Sequence, residues 1–207
     1  VSILLFIALL LPYLIPLRNN FQDALDLRAS NGEFVLVNNY KTYIEKSGTI
    51  TNPKIILLHG FGGSTITFRN NIKALIDSGF YVVAVDLKGF GLSDKKFDED
   101  YSHKAQADLV LGIMNQLEIP KATILGHSMG ANIALTFAES YPDRVEKLVI
   151  VDGEVVTSNS INLGSVMNNS PIRQWSRIFL NYYLTRDRVK DILGSAYYTK
   201  DLLTDDI

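Results

Sequence analysis

The ten residues from Ala122 to Ala131 leave this chain little freedom in how it can fold. A short apolar run, Thr123, Ile124 and Leu125, leads directly into Gly126, His127, Ser128, Met129 and Gly130. An apolar helical pattern follows through Ala131, Ile133, Ala134, Leu135, Phe137 and Ala138. Gly-x-Ser-x-Gly between a buried strand and a buried helix is the pattern of a nucleophile elbow. The serine sits on a turn so sharp that its backbone is strained, and the residues two positions either side approach other backbone too closely to carry a side chain. The hydroxyl then projects at the carboxyl end of a sheet, beside a helix N-terminus whose unpaired N–H groups favour developing negative charge. The bare pattern arises from composition alone in roughly one chain in fifteen of this length, so its setting carries the reading.

The flanking sequence extends the same architecture. Phe34 to Glu45 reads as a β-hairpin turning at Asn38 and Asn39, because asparagine tolerates the positive φ of a tight turn. Lys54 to Leu58 is a β-rich run ending in His59, Gly60, Phe61, Gly62, Gly63 and Ser64. A helix is expected next, with Phe68, Ile72, Leu75 and Ile76 on one face and Gly79 as its stop. Tyr81 to Val85 is a buried strand ending at Asp86, Ser102 to Leu117 a helix with Ala105, Leu109, Ile113 and Leu117 in one stripe, and Lys147 to Asp152 a further strand. Continuous apolar strands alternating with helices predict an α/β fold with a doubly wound, mostly parallel sheet. Ligands of such sheets bind beyond the carboxyl ends of the strands. His59, Gly60, Asp86, Ser128 and Asp152 all fall there.

After the last of these strands the character changes. Ser170 and Pro171 open a helix carrying Ile172, Trp175, Ile178, Phe179 and Tyr182, and Asp187 to Leu193 reads as a second, stopped by Gly194. Two helices inserted after a strand suggest the start of a helical lid. Trp175, Tyr182, Tyr183, Tyr197 and Tyr198 are candidate pocket aromatics, and equally fit an ordinary helical core. The division expected is a hydrophobic segment 1–17, a linker 18–32, an α/β core 33–157 and a partial lid 158–207.

Residues 1–17 are almost wholly apolar, with no charge before Arg18. A spanning helix needs about 20 residues, and this run, which does not begin with methionine, predicts a membrane anchor or signal-anchor. A cleaved signal peptide, giving a secreted or periplasmic protein, competes with it. No basic n-region and no small-residue cleavage site is visible. Pro12 and Pro16 make a buried core helix awkward.

A net charge of −2 without a local Lys/Arg cluster excludes the electrostatic footprint of a nucleic-acid binder. The absence of cysteine excludes disulfides and thiolate metal sites. The glycines at 60, 62, 63, 89 and 91 lack the spacing of a dinucleotide fingerprint or a P-loop lysine. No cofactor and no metal is expected.

Three stretches in order, His59 to Ser64, Asp86 to Asp94 and Gly126 to Gly130, resemble the α/β-hydrolase superfamily over about residues 34–155. The likeness is greatest to its small-molecule branch of carboxylesterases, lactonases, epoxide hydrolases, carbon–carbon bond hydrolases and cofactor-free perhydrolases. The resemblance implies Ser128 as nucleophile and the N–H groups of Phe61 and Met129 as oxyanion-hole donors. Serine at 128 argues against epoxide hydrolases and haloalkane dehalogenases, which carry aspartate there. His59 is expected to shape its loop and His127 to be structural. The family pattern also requires an acid and then a histidine after the lid, yet no histidine follows Ser128. Asp152 matches an alternative acid position of some relatives. The expectation is a chain truncated within the lid, its base beyond residue 207, inactive and either poorly soluble or only partly folded on its own. The complete protein is then expected to be a membrane-tethered serine hydrolase acting on a small-molecule ester or other acyl substrate. The alternatives are a non-catalytic ligand-binding or receptor module, and an enzyme of carbon–carbon cleavage or cofactor-free oxygen chemistry.

Overall fold

Asn38 and Asn39 take φ of 49° and 63°, and this two-residue turn joins β1 (Gly32–Val37) to β2 (Tyr40–Ser47) in an antiparallel register that pairs Val37 with Tyr40. The computed structural model describes residues 10–16, 25–153, 170–183, 185 and 187–188. After the hairpin come β3 (Lys54–Leu58), a 3-10 turn (Thr65–Phe68), α1 (Ile72–Asp77) and β4 (Tyr81–Val85). α2 (His103–Gln116), β5 (Ala122–His127), α3 (Met129–Ser140) and β6 (Val145–Val151) follow. The sheet order is β1-β2-β4-β3-β5-β6, with β3, β4, β5 and β6 parallel and the hairpin joined antiparallel to β4.

The two-residue period of the strands sorts the core onto both faces of the sheet. Ile56, Leu58, Val83 and Val85 pack with Leu109, Ile113 and Met114 of α2 and Ile133 and Phe137 of α3. The alternate residues Ile55, Leu57, Val82 and Ala84 pack with Phe68, and Ile72 and Leu75 of α1 lie against them. Burying a Leu, Ile or Phe of this kind contributes roughly 1.5–3 kcal/mol. Ser102 caps α2, its hydroxyl accepting from the Ala105 N–H at 3.2 Å. The helix expected through Phe68 and Ile76 is broken in two, because the 3-10 turn closes Arg69 N–H onto the Ile66 carbonyl before α1 begins. Among the described residues β6 pairs only with β5, and Leu148, Val149, Ile150 and Val151 are partly exposed on it. An apolar edge strand is a template for further strand pairing.

The chain divides into two units, Gln22–Val156, and Val1–Phe21 with Thr157–Ile207. The second contains α4 (Ser170–Tyr183), in which Ile178 is buried and the rings of Phe179 and Tyr183 stack at 4.6 Å. Of the second expected lid helix only Asp187 and Arg188 are described, and Tyr197 and Tyr198 lie outside the described residues.

The membrane anchor expected at 1–17 is corrected here. Among the described residues no helix is long and apolar enough to cross a membrane. Residues 1–9 lie outside the description, and the rest of the run is helical only over 10–14, ending before Pro16. The Pro12 carbonyl accepts from the Gln174 side chain at 3.3 Å, and the Pro16 carbonyl from the Tyr182 hydroxyl at 2.5 Å. Polar groups of α4 thus serve the backbone of a segment that hydropathy alone assigns to lipid. The membrane-anchored localisation, and the membrane as a partner, fall with it.

Candidate active site

β5 ends at His127 and α3 begins at Met129, so Ser128 alone makes the turn between strand and helix. It does so at φ 52° and ψ −118°, outside the ordinary left-handed basin, in a region that L-residues occupy only at a cost. The crowding expected of the flanking glycines is present. A Cβ on Gly126 would lie 2.1 Å from the Gly130 carbonyl oxygen, and one on Gly130 would lie 2.2 Å from that of Leu58. The Ser128 N–H donates to the Val151 carbonyl at 2.9 Å, tying the turn to the end of β6. As the first residue of α3, Met129 has no intrahelical acceptor for its N–H.

The loop from His59 to Thr65 lies against this turn. A Cβ on Gly60 would be 3.1 Å from the Ser128 Cβ and 3.1 Å from His127 Nδ1, so Phe61 follows a residue in contact with the serine. The loop folds on itself through Gly63 N–H donating to the Gly60 carbonyl at 3.1 Å. The Phe61 side chain is 83% exposed, its ring edge-on to Phe90 at 5.5 Å. Phe90 stands in the same way to His59, also at 5.5 Å.

His59 is fully buried and both ring nitrogens are engaged. Nδ1–H donates to the Gly60 carbonyl at 2.7 Å, and Nε2 accepts the Leu87 N–H at 3.1 Å. Burial lowers its pKa below the ordinary 6.5, partly countered by the Gly60 hydrogen bond, so the ring is a neutral clasp between two loops. His103 is exposed at the start of α2. His127 borders an apolar cavity of about 390 Å³ with Leu57, Phe68, Leu125 and Val151. Its buried Nδ1 has no hydrogen-bond partner among the described residues.

Asp86 is 1% exposed at the end of β4. Its carboxylate accepts the Thr65 N–H at 2.7 Å and the Leu92 N–H at 2.6 Å. Burial raises its pKa, the two N–H bonds oppose that, nearby Glu45 adds to the rise and Lys95 subtracts. Its place at a strand end and at the head of the 86–94 stretch were the sequence signals for Asp86; its partners, 21 and 6 residues away in the chain, were not legible. Asp152 lies directly after β6 with φ 51°, exposed, next to the Val151 carbonyl that receives the Ser128 N–H. Gly60, Ser128, Met129 and the end of β6 are therefore neighbours, whereas His59 and Asp86 stand behind the loops.

A mixed sheet wound in this order, with a strained serine between crowded glycines, is the frame of a hydrolase fold. Residues 53–188 match the alpha/beta hydrolase fold family, and the chain belongs to that family. An uncharacterized protein of Mycobacterium tuberculosis is 33% identical over 188 residues, 89% of this chain and 54% of that protein. A 2-hydroxy-6-oxononadienedioate/2-hydroxy-6-oxononatrienedioate hydrolase of Burkholderia vietnamiensis is 38% identical over 105 residues, 49% of this chain and 36% of that enzyme. Among solved structures, a meta-cleavage product hydrolase from Pseudomonas fluorescens superposes with a TM-score of 0.65 at 25% identity, covering 84% of this chain and 60% of that one. The chain spans about half the length of the curated relatives it matches.

Proposed function

We propose that the protein is a serine hydrolase that cleaves an ester or other acyl bond of a small molecule through an acyl-enzyme on Ser128. The observation that carries this reading is the backbone of Ser128, held at φ 52° and ψ −118° between two glycines that admit no side chain. Strain of this kind persists where the surrounding structure over-determines it, and such sites are concentrated at functional positions. In the proposed reaction Ser128 Oγ attacks the substrate carbonyl carbon, and a base takes the hydroxyl proton. The carbonyl π electrons move to oxygen, which accepts hydrogen bonds from the N–H groups of Phe61 and Met129. Collapse expels the leaving group with a proton, and water then releases the acid by the same route. Each oxyanion donor is worth about 10²–10³ in rate. His59 is not the base, since both its nitrogens are engaged, and no histidine follows Ser128 in this sequence. Asp152 is the proposed orienting acid. Residues 33–157 form the proposed catalytic core, with 158–207 contributing to a lid.

A carbon–carbon cleavage variant of the same chemistry is favoured by the names of the Burkholderia and Pseudomonas relatives. The test is fluorophosphonate labelling of the protein at its natural length beside Ser128→Ala, followed by turnover of aryl esters and of a 2-hydroxy-6-oxo-dienoate. Labelling that disappears in the alanine variant is expected, and the substrate arm separates the two chemistries. A folded protein that stays unlabelled and turns over neither substrate refutes the hydrolase reading.

A further inference from the structure

The loop that carries Phe61 is fastened at its two ends to two consecutive residues, Leu87 and Asp86. At its start, His59 Nε2 accepts the N–H of Leu87. At its end, the Thr65 N–H donates to the carboxylate of Asp86. The other carboxylate oxygen of Asp86 holds the Leu92 N–H, and the stretch between Leu87 and Leu92 carries Phe90, whose ring meets both Phe61 and His59. One buried carboxylate therefore binds the two loops whose aromatic side chains meet, and the first of these loops adjoins Ser128 through Gly60.

Asp86 is itself immobilised from behind. Its N–H donates to the Tyr43 carbonyl at 2.9 Å, and its carbonyl accepts from the Ser93 hydroxyl at 2.6 Å, which in turn accepts the Tyr43 N–H at 2.9 Å. The second loop is moulded on the carboxylate, because a Cβ on Gly91 would lie 1.9 Å from Asp86 Oδ2. The charged groups facing it are Glu45 of β2, which receives the Thr65 hydroxyl at 2.8 Å, and Lys95, whose ammonium donates to the Gly91 and Ser93 carbonyls. Glu45 repels the carboxylate, and Lys95 makes no direct ion pair with it among the described residues. The carboxylate's hydrogen-bonding capacity is spent on backbone N–H groups of the two loops, an arrangement that fixes position.

We propose that Asp86 is a positioning residue for the oxyanion hole, holding the 59–65 and 87–92 loops so that the Phe61 N–H stays aimed at the oxygen formed during attack by Ser128. This rests on the hydrolase reading of Ser128 and Phe61. A preorganised donor is effective only where it is held within a fraction of an ångström, and Phe61, 83% exposed in a glycine-rich loop, has Phe90 as its one aromatic ring partner among the described residues.

The experiment compares the protein at its natural length with Asp86→Asn, Thr65→Pro and Thr65→Val. Asparagine keeps one acceptor and turns a donor toward the other N–H. Proline removes the Thr65 N–H at the first position of a helical turn, where its ring is tolerated. Valine keeps that N–H and removes only the hydroxyl bond to Glu45. Fluorophosphonate labelling is measured against probe concentration. The expected result is a fall of about 10–100-fold in the maximal labelling rate for Asp86→Asn and Thr65→Pro, with the half-saturating concentration unchanged, while Thr65→Val stays near wild type. The ¹⁵N–¹H order parameter of Phe61 is expected to drop in the first two variants and not in the third. Equal maximal rates in all four proteins overturn the proposal. So does a loss shared by Thr65→Val, which would assign the effect to the turn's general integrity. Where Asp86→Asn does not fold, Thr65→Pro decides. If wild type takes no label, the Ser128 reading fails by itself, and an unchanged Phe61 order parameter in Thr65→Pro then overturns the positioning role as well.

Discussion

Replacing Ser128 by glycine should make the protein more stable than replacing it by alanine, reversing the usual order for these two residues near a helix. The strain at φ 52° and ψ −118° arises from the Cβ, and a non-glycine residue in such a region costs of order 1–3 kcal/mol. Alanine keeps that Cβ and therefore keeps the strain; glycine removes it. Against this, glycine in the unfolded chain has more freedom to lose, worth roughly 0.4–1 kcal/mol. Although Ser128 occupies the N-cap position of α3, its side chain makes no capping hydrogen bond, so neither substitution forfeits a cap. The balance favours Ser128→Gly over Ser128→Ala by about 0.5–2 kcal/mol. At roughly 2–4 °C per kcal/mol for a chain of this size, the melting temperatures should differ by a few degrees. Urea unfolding of wild type and both variants checks this, read as a shift in midpoint at unchanged m. Ser128→Ala itself should lie within about 0.5 kcal/mol of wild type, as expected where no specific interaction is removed. An alanine variant as stable as the glycine variant would refute the strain argument, and with it the observation on which the proposed function leans most.

Two further outcomes follow from the same geometry. Gly130→Ala places a methyl 2.2 Å from the Leu58 carbonyl oxygen and 2.6 Å from that of His59; α3 must lift from β3, and unfolding should show a loss of about 1–3 kcal/mol or more. His59 has a folded-state pKa depressed by burial below 6.5, so its contribution to stability is complete above pH 6.5 and is lost as pH falls through the folded value. The unfolded chain gains the proton first, giving a slope of up to about 1.4 kcal/mol per pH unit below 6.5. The excess acid sensitivity of wild type over His59→Gln in pH-dependent unfolding measures that term, and parallel curves would rule it out.

Much of the frame was legible in the chain because it depends on neighbours in sequence. The Asn38–Asn39 turn and the elbow glycines each express a local steric rule, and the structure observes both. The expected helix through Phe68 failed at Arg69 because periodicity says which residues face the core, whereas the 3-10 closure there accompanies a tertiary bond from Thr65 to Asp86.

The sequence by itself determined the alternating α/β order and the position of Ser128 at a strand end, since the period of apolar residues and the tolerances of glycine and asparagine are written in contiguous residues. Tertiary structure decided the rest. It gave the apolar segment at residues 10–16 hydrogen-bond donors from α4, engaged both nitrogens of His59, and made Asp86 the tie between two loops. Most of those bonds join groups 20 residues or more apart in the chain, and a hydrogen bond between distant groups leaves no mark in the local pattern of either.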